Sequence, residues 1–89
     1  MPTYLVEFFL PRGRIDEAAV LAKTVERAAD PGRPVRLVQA LSVPGEEFCL
    51  CLYDGESADA VEAAVQATGL PFQGRPQPAV VLPDADAIA

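Results

Sequence analysis

Histidine is absent from this chain of 89 residues. That absence removes the commonest side-chain metal ligand, the commonest general acid or base, and every Ser-His or Cys-His nucleophile pair. Basic residues are also scarce: seven Lys and Arg stand against thirteen Asp and Glu, a formal net charge of −6. The long-range field therefore repels phosphate backbones and anionic lipid surfaces, and neither nucleic acid nor a membrane is expected as a partner. Cys49 and Cys51 are the only cysteines, too few for a disulfide framework, and a reducing cytoplasm would keep them as thiols. The opening stretch Met1-Pro-Thr-Tyr-Leu-Val-Glu7 has no basic region and meets a carboxylate within a few positions, so it matches neither a signal peptide nor a spanning helix. A cytoplasmic protein is expected. The glycines are scattered singly through turns, and no phosphate-cradling loop is present.

Apolar residues, by contrast, are abundant, at 51%. A chain of this length builds one domain, and a domain so small cannot hide all of that surface within a monomer. Self-association is the natural outlet, and a homodimer is expected.

Residues 3–10, Thr-Tyr-Leu-Val-Glu-Phe-Phe-Leu, are rich in aromatic and β-branched side chains and stop at Pro11-Arg-Gly13, which predicts a strand. Tyr4, Val6, Phe8 and Leu10 face one way, and Leu5, Glu7 and Phe9 the other. From Ile15 to Ala29, apolar Ala18, Leu21, Ala22, Val25 and Ala29 recur every three or four residues, the spacing of an amphipathic helix. Residues 35–43 read as a second strand, joined through Pro44-Gly45-Glu46 to a third over Phe48–Tyr53. In that third strand Phe48, Leu50 and Leu52 share one face, and Cys49, Cys51 and Tyr53 the other. Ser57 predicts the N-cap of a second helix that ends at Gly69-Leu-Pro71. Its stripe of Val61, Ala64, Val65 and Thr68 is small enough for close approach to a sheet. Phe72–Gln77 reads as a Pro/Gly loop and Pro78–Leu82 as a short edge strand.

The order β-α-β-β-α-β predicts a ferredoxin-like α+β domain over residues 1–83, a four-stranded antiparallel sheet with both helices on one face. Residues 84–89 form an acidic tail, expected to be mobile. The second face of the sheet would be left bare, so a second subunit's sheet is its expected cover, giving a dimeric α+β barrel with a ligand cavity between or beside the sheets.

Tyr4-Leu-Val-Glu7 with Leu10-Pro11, then Cys51-Leu-Tyr-Asp54, Ala60-Val-Glu62 and Gly69-Leu-Pro71, together resemble a small bacterial family. It is common in actinobacteria, long labelled a domain of unknown function, and typified by nickel-binding, nickel-responsive proteins. The resemblance implies a ferredoxin-like dimer over about residues 4–82, with metal binding in some members. Where the family would carry histidine, this chain has Gln39 in the second strand and Ala64 on the second helix. The fold is thus implied and the nickel site is not; no metal and no cofactor are expected.

The candidate ligand-binding residues are Glu7, Phe9, Cys49, Cys51 and Tyr53. Glu7 stands between Val6 and Phe8 in a central strand, so it must be paired, protonated or open to a wet cavity. The plainer reading is an interface ion pair with Arg36 or another arginine, or simple exposure; the functional one is a ligand-binding or acid/base carboxylate. Cys49 and Cys51 read first as core and second as soft-metal ligands beside Glu7. Tyr53 could set its hydroxyl in the cavity mouth, although aromatic residues at strand ends are more often structural. The function expected is that of a non-enzymatic homodimer holding a small apolar ligand, with a metal the lesser choice. The alternatives are a cofactor-free oxygenase, isomerase or cyclase of the dimeric barrel type using Glu7 or Tyr53, and a purely structural dimerisation module.

Overall fold

The computed structural model describes residues 1–10, 15–43 and 45–82. Its elements run β1 (Thr3–Phe9), α1 (Ile15–Ala28), β2 (Val35–Ser42), β3 (Phe48–Gly55), α2 (Ala58–Thr68) and β4 (Phe72–Ala79). All strand pairings are antiparallel and the sheet order is β2-β3-β1-β4. Val6 and Phe8 of β1, Cys49, Cys51 and Tyr53 of β3, Ala22 and Val25 of α1, and Val61 and Val65 of α2 belong to one buried cluster. Both helices therefore cover the same face, and the fold is the ferredoxin-like α+β arrangement. The tail at 84–89 lies outside the described residues.

The helices dock closely because their inner stripes are small. Ala18, Ala22 and Val25 on α1, and Ala60, Val61, Ala64 and Val65 on α2, are buried; each buried valine contributes roughly 1.5–3 kcal/mol. Helix α2 begins where the Ser57 Oγ accepts the Ala60 N–H at 3.1 Å. It ends at Gly69, whose φ of 72° lies in the left-handed region that glycine enters without strain. Beneath it lies Gly55 at the end of β3, where a β-carbon would stand 2.8 Å from Val61 Cγ2.

Two irregularities shape the sheet. In β2 the register with β3 shifts between Leu37 and Gln39, so Val38 is an extra residue, a bulge. Val35 and Leu37 face the helices before it; after it the inward residues are Ala40 and Ser42, opposite the buried Cys51 and Cys49. The Leu37 N–H beside the bulge is taken by the Glu26 carboxylate of α1 at 2.7 Å. That bond, followed by the Lys23 ammonium, holds the Glu26 carboxyl below the usual glutamate range.

The second irregularity corrects the reading of the last strand. Phe72–Gln77 is not a loop: β4 spans Phe72–Ala79, and only Pro78 and Ala79 of the expected 78–82 strand lie within it. Prolines discourage a strand assignment because each removes a donor, yet an edge strand needs its donors on one side only. Pro78 pairs with Tyr4 and Gln77 with Leu5, whereas Gln73 pairs with Glu7. Residues 74–76 thus stand opposite Val6 alone, and Gly74, at φ 70°, lets the chain swell there.

Replacing Gly55 by alanine forces a methyl into contact with Val61 and tests this close packing. A loss of about 1–3 kcal/mol of unfolding free energy is expected for such overpacking, measured by urea denaturation. A neutral result would mean that α2 can lift from the strand without penalty.

Candidate functional site

Alternation along the two central strands decides what each face carries. Strand β3 buries Cys49, Cys51, Tyr53 and Gly55 beneath the helices and turns Phe48, Leu50, Leu52 and Asp54 outward. Through the β1–β3 register, Leu5 lies opposite Leu52, Glu7 opposite Leu50 and Phe9 opposite Phe48. Neither helix covers these residues. Leu5, Leu50 and Leu52 are half-buried by their neighbours within the sheet, while Phe9 remains 49% exposed. On β2 the bulge brings Leu41 to this same face, beside Leu50 and 53% exposed.

Glu7 is the single carboxylate at the middle of this apolar field. Its side chain makes no hydrogen bond or ion pair among the described residues, although it is only partly exposed. Its cross-strand neighbours are Leu50 on one side and Gln73 on the other. Asp54, farther along the face, is held by the Thr3 hydroxyl at 2.6 Å. Next to Glu7 the surface sinks into a depression of about 420 Å³ lined by Glu7, Phe9, Gly45, Glu46, Glu47, Phe48 and Gln73. A smaller hollow of about 120 Å³ continues toward Phe8, Pro71 and Phe72. Aromatic walls suit an apolar body, and the neighbouring carboxylates suit a hydrogen-bond donor or a cation.

The five residues expected to share one cavity are divided between the two faces. Glu7 and Phe9 lie together on the open side. Cys49, Cys51 and Tyr53 lie on the helix-covered side, fully buried, and Tyr4, opposite Tyr53 in register, shares that side. Tyr53 does not open into a cavity mouth, because its hydroxyl donates to the Ala22 carbonyl of α1 at 2.9 Å. The two sulfurs are 3.7 Å apart and both thiols are free. Burial, and then the neighbouring Cys49, push the Cys51 thiol up to about 12; burial, and then Cys51, raise the Tyr53 phenol. Both groups are neutral at physiological pH, so neither is poised as a nucleophile or as an anionic metal ligand.

Gln73, Glu46 and Glu47 were not singled out by sequence reasoning, which placed Gln73 in a loop. Starting the last strand directly after Pro71 would have set Gln73 beside Glu7. Among the described residues, no group of three or more His, Cys, Asp and Glu side chains could hold a metal ion. The two positions where the resemblance looks for histidine do not converge: Gln39 lies on the open face opposite Leu52, and Ala64 is buried on the inner side of α2. Among the described residues no helix is long and apolar enough to cross a membrane. No protein-family model, no curated protein and no solved structure matches this chain, and the resemblance to the nickel-binding family gains no support from them.

Burial of the two thiols has a measurable consequence. In the folded protein at pH 8 neither cysteine should react with a thiol reagent such as Ellman's, and both should react after denaturation. Because the folded Cys51 value lies above its ordinary value of 9.0, its contribution to stability is full below pH 9. It is lost as pH rises from there toward 12. Unfolding free energy should therefore hold steady to about pH 8.5 and fall above it, and rapid labelling of the native protein would show the burial to be wrong.

Proposed function

We propose that this protein is a small non-enzymatic homodimer acting in the cytoplasm, in which two open sheet faces pack together and hold a small, mainly apolar ligand beside Glu7 and Phe9. The observation that carries the reading is an uncovered apolar face on the two central strands, formed by Leu5, Leu50 and Leu52, with a carboxylate in its middle, Glu7, that has no partner among the described residues. Four strands at about 4.8 Å and seven or eight residues at about 3.3 Å make that face roughly 19 by 25 Å. With side-chain relief, its area is of the order of the roughly 800 Å² that each partner contributes to a standard interface. In such a packing Glu7 would lose water, and it would need a donor from the ligand or from the second subunit.

The enzymatic alternative loses one of its two acid/base groups, since Tyr53 is buried and committed to Ala22. Glu7 alone, without a partner base, is better suited to fixing a ligand's polar end than to moving protons. A net charge of −6 remains unfavourable for nucleic acid and anionic membranes.

Native mass spectrometry of the protein as purified, with elemental analysis of the same sample, tests the reading. A dimer carrying an organic adduct and no stoichiometric metal is expected. Leu50→Lys places a charge in the centre of the face. It should weaken the dimer by about 100-fold or more, corresponding to about 3 kcal/mol, while the fold, read by circular dichroism, is retained. Glu7→Gln should leave the dimer intact and lower ligand occupancy. A wild-type monomer would refute the proposal, and a stoichiometric metal would return it to the metal-binding alternative.

A further inference from the structure

Around the end of the sheet from the depression beside Glu7 lies a second, apolar hollow. Its volume is about 530 Å³, and Phe9, Leu10, Val20, Leu21, Leu70 and Pro71 line it among the described residues. Thr24 also reaches its wall, but the hydroxyl already donates to the Val20 carbonyl at 2.8 Å. The size falls within the roughly 300–1,000 Å³ of small-molecule sites, and the wall offers almost nothing to a polar group. Val20 is 65% and Phe9 49% exposed, so apolar surface stands in water here, and a hydrocarbon that covers it is bound favourably.

This hollow and the depression adjoin. Phe9 and Pro71 line both the hollow and the 120 Å³ one next to it, which Glu7 and Gln73 also wall. Phe9 lines the depression beside Glu7 as well. Backbone bonds from the Phe9 N–H to the Pro71 carbonyl at 3.1 Å, and from the Leu10 N–H to the Glu47 carbonyl at 2.9 Å, close the sheet at this end. A ligand that occupies both sides must therefore bend over Phe9 and Pro71 rather than pass between strands. The polar end of the track is acidic: Glu7, Glu46 and Glu47 line it, and among the described residues no Lys or Arg does. In a chain of net charge −6, that end repels an anionic head and attracts a cationic one.

We propose that the ligand is a long-chain primary amine, its ammonium group on the Glu7 carboxylate and its hydrocarbon tail bent over Phe9 and Pro71 into the hollow between α1 and Leu70. The inference rests on the ligand site of the preceding subsection and names what occupies it. The ammonium supplies the donor that Glu7 needs once the sheet face is covered. Glu7 to Phe9 is two steps along β1, about 7 Å at 3.3 Å per residue, and passing from one side of a sheet to the layer packed on the other adds about 10 Å. Three backbone bonds advance at most about 3.6 Å, so a saturated chain covers about 1.2 Å per bond and spans that path with about fourteen carbons.

Isothermal titration of the purified protein with the series from hexylamine to hexadecylamine, each below its micelle concentration, tests the proposal. Each added methylene should tighten binding about threefold to fourfold until the hollow is full near tetradecylamine, and no further beyond it. Tetradecanoate, with the same chain and an anionic head, should bind at least about tenfold more weakly than the amine. Glu7→Gln should weaken every amine by a common factor of about tenfold and leave the dependence on chain length as it was. Val20→Asn, at an exposed position of α1, should weaken tetradecylamine about tenfold and hexylamine far less. Binding that depends on Glu7 but not on chain length would overturn the tail site and leave the preceding reading standing. A chain-length dependence unmoved by Glu7→Gln would overturn both. Tetradecanoate bound as tightly as tetradecylamine, or no binding by any amine, would overturn the proposal, and the adduct found by native mass spectrometry then decides the preceding reading separately.

Discussion

Strand β3 presses every second residue beneath the helices, and the rest of the molecule depends on that alternation. Cys49, Cys51 and Tyr53 are fully buried under the helix layer, and Gly55 is narrow enough for α2 to approach the backbone closely. The same two-residue period fixes the opposite face. With the small and neutral residues committed inward, Phe48, Leu50 and Leu52 have nowhere to point but outward, and the β1 register adds Leu5, Glu7 and Phe9 beside them. One strand therefore creates both the helix-covered core of the fold and the middle of its uncovered apolar face.

Most of the architecture was legible because its signals are local. The 3.6-residue stripe of α1, the Ser57 cap, the Gly69 stop and the apolar runs of β1 and β3 each follow from a few neighbouring residues, and five of six elements fall where the chain predicts them. The sixth was hidden by its prolines. Pro76 reads as loop and Pro78 as the first residue of the strand, and only the pairing with β1 reveals a longer edge strand that accommodates both through a bulge at Gly74. The candidate site was less legible for a related reason. In β1 and β3 both faces are apolar, so alternation alone cannot say which one meets the helices. Separating the thiols and Tyr53 from Glu7 requires a cross-strand register that no single strand contains. The bulge at Val38, which turns Leu41 toward the open face, leaves no sequence mark at all.

The two sheet edges are protected by different means. Strand β4 carries prolines and an irregular swelling, devices that discourage another strand from adding there. Strand β2 has no proline among residues 35–42; its irregularity is the bulge, and the free N–H beside it is satisfied from the helix layer by Glu26. With both edges interrupted, growth of a continuous sheet by strand addition is disfavoured.

The bond from the Leu37 N–H to Glu26 also ties the composition of one surface to a residue on the other side of the molecule. Glu26 sits in the helix layer, yet it stabilises the point at which β2 changes parity. Were the bulge to move by one pair along β2, different side chains would be presented outward while the strand kept its length and its neighbours. Divergence within α1 could in this way redraw the open face of a descendant protein without a single substitution on that face.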